Sequence, residues 1–422
     1  MDQNNARARS KLSFRQLLVA SVMVSGSALA LDPAPVNRGS PIEFVPTLSL
    51  SQGYDDNINQ DPAGDEESSN VTRIWPNFLL RAQSRANRYQ FSYRPRIFLY
   101  SHESDDNRAD HLLNGRAQWE FNGRNRLRLS TDASRTQAIL NDTNRTAGED
   151  EGDINEKLSL DAIHTFGAQD ARGQLEFRAG HLWNRYANNL TTVETEEGRV
   201  GSNKQSKEYD SLRLGTTFFL RVAPKTRALV EGRYESFDYL WAPSTLDSEN
   251  IGARVGLTWQ ATAKTSGSVR IGRLEKDFDD AAKADEQITD WQAQLSWNPV
   301  EHATFRLQTQ NSLEEGGESS EAVVTEEAIE QTRWSINWEH AWDERWKSTL
   351  GYSIADRDYL ASTGDNVGRV DETTTLSLKL DYEIQRWLAF GFEVQVKDKD
   401  SSRGPASSYE QNTYFFTVNV SL

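Results

Sequence analysis

Cysteine is absent from the 422 residues, which excludes a disulfide framework, a thiol nucleophile and any thiolate metal site. The absence also suits a chain that must cross an oxidising compartment unfolded. Long apolar runs are missing after residue 30: no stretch approaches the roughly 20 residues a transmembrane helix needs, and mean hydropathy is -0.72. By hydropathy alone the chain reads as soluble, but strands that hide one apolar face by alternation leave the same average. No Pro/Gly/Ser-rich linker and no shift of composition divides the chain, although a soluble protein of this length would need two or three domains. Basic excess is lacking too. Lys and Arg total 47 against 63 Asp and Glu, a formal charge of -16, which argues against nucleic acid as a partner. The six histidines (His102, His111, His164, His181, His302, His340) are scattered over separate segments, and no G-x-S-x-G, H-E-x-x-H or Gly-rich phosphate loop occurs. Neither an enzyme nor a cofactor or metal site is expected.

The one apolar run, Leu17 to Leu29, follows Arg7, Arg9, Lys11 and Arg15 and ends in Ala28-Leu29-Ala30, the small-x-small site of a secretory signal peptide. It is too short for a comfortable membrane anchor and leads into Asp32, Pro33 and Pro35. The expected organisation is a signal peptide over 1–30, a short periplasmic segment over 31–43 and one β-barrel over 44–422.

What fills the chain is alternation. From Phe44 to Tyr54 onward, stretches with apolar residues at every second position are joined by connectors that are short and long in turn. Asn122-Gly123 marks one of the short turns as a tight hairpin. The pattern predicts eighteen strands, eight short turns and nine long loops, closing with Tyr414 to Leu422. An even strand number with both termini on the short-turn side describes an antiparallel up-and-down barrel of the bacterial outer membrane, an all-β fold. In the last strand Phe416, Val418, Val420 and Leu422 are expected to face lipid, Thr417 and Asn419 the lumen, with the first strand alongside. Tryptophan and tyrosine gather near strand ends, which predicts two lipid-facing girdles: Trp119, Trp259, Trp297, Trp338, Trp342, Trp346 and Trp387 near the short turns, and Trp75, Trp183, Trp241, Trp291, Trp334, Tyr54, Tyr100, Tyr186, Tyr209, Tyr239 and Tyr359 near the long loops.

With the apolar phase outside, the other phase is the lumen. It carries Arg94, Arg96, Arg116, Arg126, Arg128, Arg178, Arg213, Arg233 and Arg254, with Glu120, Glu176, Glu231 and Glu235. Fixed guanidinium groups in a confined pore raise the local concentration of anions, so these arginines are candidates for a solute path; alternatively they pair with lumenal carboxylates and keep the wall hydrated. The long loops are acidic. Asp55, Asp56, Asp61, Asp65, Glu66 and Glu67 crowd the first, and none of the loops shows calcium-loop spacing, so solvated acidic loops are expected. The seventh, Glu314 to Glu330, contains EAVVTEEAIE and is the candidate for a short helix that plugs the pore.

Pro46 to Ile58, PTLSLSQGYDDNI, resembles the opening strand of the Putative beta-barrel porin 2 family, matching it at Gly53, Tyr54, Asp55, Asp56 and Asn57. The eighteen-strand layout extends the likeness over the whole mature chain. The resemblance implies a barrel in the outer membrane of a Gram-negative bacterium, inserted by the barrel-assembly machinery and surrounded by outer-membrane lipids. It also implies a conduit for an exopolysaccharide or capsular polysaccharide, with an anionic polymer and periplasmic export proteins as partners. The residues themselves leave open a general or anion-selective diffusion porin and a surface-binding barrel scaffold.

Overall fold

The computed structural model describes residues 33–37, 39–102, 106–139, 152–187, 192–195, 198–201, 204–242, 244–260, 264–318, 324–361 and 366–421. The expected signal peptide and Leu422 lie outside them. The strands are β1 (Ile42–Asp55), β2 (Ser69–Ser84), β3 (Asn87–Tyr100), β4 (Arg108–Asn122), β5 (Asn125–Gln137), β6 (Ile154–Phe166), β7 (Gly173–Tyr186), β8 (Thr192–Thr195), β9 (Gly198–Gly201) and β10 (Tyr209–Ala223). Then follow β11 (Thr226–Tyr239), β12 (Ser248–Trp259), β13 (Thr265–Phe278), β14 (Glu286–Val300), β15 (Ala303–Glu318), β16 (Val324–Ala341), β17 (Trp346–Leu360), β18 (Val370–Gln385), β19 (Leu388–Ser401) and β20 (Tyr409–Ser421).

Eighteen of them form one antiparallel sheet, as the alternation predicts, and β8 with β9 makes a separate ribbon inside the loop between β7 and β10. Each wall strand pairs with its neighbours in the chain, β7 pairs with β10 across that loop, and β1 pairs with β20, so the sheet closes into a barrel. The outward phase is greasy and uncovered: Leu48, Leu50, Phe91, Leu160, Phe218, Ile251, Val255, Leu378 and Phe416 are all exposed. So continuous an apolar belt has a favourable environment only in hydrocarbon.

The closing strand runs Thr47↔Ser421 to Asp55↔Thr413 along β1. Phe416, Val418 and Val420 point outward. Thr417 and Asn419 point inward, where the Thr417 and Ser51 hydroxyls are 2.7 Å apart and the Ser49 hydroxyl donates to the Asn419 side chain. Gly53 lies on the same seam. A Cβ there would collide with the Tyr414 carbonyl oxygen and the Phe415 ring, so no side chain fits without moving backbone. Gly53→Val is expected to cost more than about 1–3 kcal/mol at the point of closure, and to be read as loss of the heat-modifiable, fast-migrating folded band on electrophoresis.

Two expectations are corrected. The girdle near the short turns faces outward, with Trp297, Trp342, Trp346 and Trp387 exposed. The other girdle is split: Tyr54 and Trp334 are exposed on the outer face, while several of its rings turn inward. Trp75, opposite Ser49, lies in the inward phase between Arg73 and Arg96. Tyr100 joins Ile58, Val71 and Phe415 in a buried cluster, Tyr209 and Tyr239 join Phe237, Leu246 and Phe278 in another, and Tyr359 is buried against Arg369. Distance from a loop says where along a strand a ring sits, whereas strand phase decides which side it faces. The second correction concerns the seventh long loop. Glu314 to Glu318 continue β15 and Val324 to Glu330 begin β16, so the expected helix is a strand hairpin, its residues 319–323 outside the described set.

Candidate functional site

The inward phase of β1 to β15 lines a cavity of about 1560 Å³. Among the described residues, eleven arginines and one lysine line it, against six carboxylates. Arg94, Arg96, Arg116, Arg128, Arg178, Arg213, Arg233 and Arg254 all lie on this lining, and so does Arg270. Arg126 does not: it reaches the short-turn rim, where its Nη2 donates to the Gly167 carbonyl at 3.1 Å.

On one side the charges are locked together. Asp290 of β14, fully buried, accepts hydrogen bonds from Arg233 of β11 and from Arg254 of β12 through both carboxylate oxygens. Glu231 accepts from Arg270 Nη1 at 2.9 Å and lies 3.6 Å from Arg254 Nη1. Arg213 donates through Nη2 to Ser159 Oγ at 2.7 Å and Asp161 Oδ2 at 3.1 Å. Absent side chains make room for this belt. Register places Gly252 between Arg233 and Leu274, and a Cβ on it would come within 2.9 Å of Arg233 Nε. Likewise Gly180 stands between Asp161 and Arg213, and its Cβ would strike the Asp161 carboxylate. Long guanidinium side chains can therefore lie along the wall and reach carboxylates on other strands.

Next to this belt, on β4 to β7, the charges are less compensated. Among the described residues, Arg116 of β4, Arg178 of β7 and Lys157 of β6 have no acidic group within ion-pairing distance, while Arg96 sits 5.6 Å from the Trp75 ring centre. Confined cations without counter-charges give the chamber a positive potential that an anion can answer.

At the long-loop end the wall is not continuous. Pairing of β14 with β15 stops at Trp291↔Asn311, although β14 begins five residues earlier at Glu286 and β15 runs on to Glu318. Asn311 bridges the split by donating to the Thr289 carbonyl at 2.8 Å. Beyond it the β15–β16 hairpin turns into the lumen: Glu315 accepts from Lys276 Nζ of β13 at 2.9 and 3.1 Å and from Tyr239 OH of β11 at 3.2 Å, both inward-phase residues two and four strands away. Lys276 is fully buried, 4.5 Å from the Phe237 ring centre and 5.3 Å from that of Phe278. A 3-10 turn, Lys204–Lys207, packs against β15 from the long loop between β7 and β10. Hairpin and turn together narrow the chamber's mouth.

A closed eighteen-strand wall with an apolar exterior and a charged interior is the architecture of a porin. The sequence profile of the Putative beta-barrel porin 2 family matches residues 39–422, the whole barrel. The chain belongs to this family. It is accordingly a channel protein of the Gram-negative outer membrane, with short turns toward the periplasm and long loops outside. No curated protein matches it. Among solved structures it is similar to the outer-membrane protein OpdK of Pseudomonas aeruginosa, with 10% identity, 90% of this chain and 99% of that one covered, and a TM-score of 0.43. It is also similar to OccK2 (OpdF) of the same organism, with 8% identity, 90% and 98% covered and a TM-score of 0.45, and to OccAB4 of Acinetobacter baumannii, with 9% identity, 92% and 100% covered and a TM-score of 0.44.

In this porin the segment that carries the resemblance is a clasp. Gln411 Nε2 donates to both Asp55 carboxylate oxygens, each at 3.0 Å, and to the Asn57 carbonyl at 2.9 Å. Asp56 accepts from the Asn412 amide at 2.6 Å and its Nδ2 at 2.8 Å, and Asn57 Nδ2 donates to the carbonyls of Asp61 and Glu410. Gly53 gives Phe415 its place, while Tyr54 faces outward. The motif thus ties the first strand to the last at the extracellular end of the seam. Sequence reasoning missed Asp290, Lys276 and Lys157. Each sits in the inward phase of its strand, so counting phase for every ionisable residue, rather than for arginine first, would have found them.

Proposed function

We propose that this porin passes small anionic solutes across the outer membrane. The observation that carries the reading is the cationic excess of the chamber, eleven lining arginines and a lysine against six lining carboxylates and the buried Asp290 behind them. In a water-filled passage only tens of ångströms long, fixed positive charge concentrates anions and repels cations. A conduit for a wide polymer, the expectation drawn from resemblance, fits less well, because the β15–β16 hairpin enters the lumen and narrows it at the extracellular end. The reading predicts that purified porin in a planar bilayer under a KCl gradient shows a reversal potential of the sign of chloride selectivity, declining as ionic strength rises and screening sets in. A cation-selective or non-conducting porin would overturn it.

A further inference from the structure

The strand register sorts the chamber's charges into rows. Residues paired across successive strands follow one another around the wall, and because the strands tilt, each row climbs as a ramp. One row contains Arg88 on β3, Arg128 on β5, Arg178 on β7 and Arg233 on β11, with Gln118, Ile163 and Gly215 on the strands between. Counted from the periplasmic start of their strands these arginines stand at positions two, four, six and eight. No carboxylate occurs among those seven positions. The rows on either side do carry acids: Glu43, Asp161 and Glu235 on one, and Glu120, Glu176, Glu231 and Asp290 on the other. All four arginines line the chamber.

Two strand spacings separate successive members by about 10 Å along the row. An arginine side chain reaches more than half that distance, so an anion held by one guanidinium can be taken up by the next without returning to bulk water. The planar fork of the guanidinium binds an oxyanion through two parallel hydrogen bonds, which chloride cannot exploit. At its upper end Arg233 already shares Asp290 with Arg254, so the hold on a solute weakens near the mouth. We infer that Arg88, Arg128, Arg178 and Arg233 form a stepped binding path for small organic oxyanions, carboxylates or phosphates. The inference rests on the anion-channel reading above and adds to it a defined route.

The test compares two arginines that share a chamber, lack ion-pair partners and differ in row: Arg178 on the acid-free row, and Arg116 on the row of Asp161. Full-length porin is reconstituted in liposomes and bilayers, with benzoate and inorganic phosphate as separate probes. Arg178→Gln is expected to slow benzoate or phosphate entry about tenfold, the loss of one charge-assisted bidentate contact, whereas Arg116→Gln slows it far less. Both should lower chloride selectivity equally, since each removes one charge. Arg178→Lys, which keeps the charge and loses the fork, should preserve chloride selectivity while slowing the oxyanion, and it covers the case in which the glutamine variant fails to fold. Slowing of one probe alone assigns the path to carboxylates or to phosphates. Equal slowing by Arg178→Gln and Arg116→Gln overturns the path and leaves the anion channel standing; a wild-type porin without anion selectivity overturns both.

Discussion

Replacing Lys276 by alanine should widen this channel. Lys276 is buried without exposure, and its ammonium is divided between the Glu315 carboxylate and the faces of Phe237 and Phe278. That contact matters beyond its own energy because β15 has no partner strand on the β14 side above Asn311. In an ordinary wall the ladder of backbone hydrogen bonds would hold a strand after one side chain was lost. Here the backbone ladder holds the hairpin on the β17 side alone, up to Ala328↔Leu360, and toward the lumen it is held by side chains, Glu315 with Lys276 and Tyr239 and Glu327 near Lys283. Removing one partner of a buried ion pair typically costs about 3–5 kcal/mol because the other charge is left unpaired, enough to shift a locally folded hairpin toward release. Single-channel recordings should show higher conductance and larger open-state fluctuations for Lys276→Ala than for wild type. Removing both charges, in Lys276→Ala with Glu315→Ala, should destabilise the barrel less than the sum of the single changes, because no orphaned charge remains. Unchanged conductance in Lys276→Ala would mean that the hairpin is held inward by other contacts.

The second large effect is expected at Asp290. This carboxylate has no exposed surface and receives hydrogen bonds from two arginines on different strands. Arg254, itself nearly buried, would keep only the longer contact to Glu231 if Asp290 were lost. Asp290→Ala should therefore lower stability by about 3–5 kcal/mol, measured as a shift in the urea midpoint followed by tryptophan fluorescence in lipid vesicles. Asp290→Asn, which keeps an acceptor but not the charge, should fall between. Both variants release positive charge into the chamber, so channels that do fold should be more anion-selective than wild type. Instability and raised selectivity come from one cause here. A variant with unaltered stability would place the pairing of Asp290 with Arg233 and Arg254 outside the set of contacts that hold the wall.

The barrel was legible because its main signal is local. In a strand the side-chain direction repeats every two residues, so Phe416, Val418 and Val420 had to share a face, and Thr417 and Asn419 the other, whatever their partners. The same period placed Arg94, Arg116, Arg178 and Arg254 on the inner side from sequence alone. It also allowed the strands to be counted, and an even count brings the first strand beside the last. The aromatic residues near the long loops show the limit of that reading. Tyr100, Tyr239 and Tyr359 sit at the expected height, but their phase turns them inward, where loops and the opposite wall supply apolar neighbours such as Ile58 and Leu246.

The sequence by itself therefore determined the strand number, the inner and outer faces and the closing pair. Each follows from periodicity or composition within one segment. Only the tertiary structure decided that β15 leaves β14 at Asn311, that Asp290 gathers Arg233 and Arg254, and that Arg88, Arg128, Arg178 and Arg233 fall on one ramp. These facts depend on register and on contacts between strands far apart in the chain. A one-residue slip in any intervening pair would redraw every row while leaving each strand's own pattern unchanged.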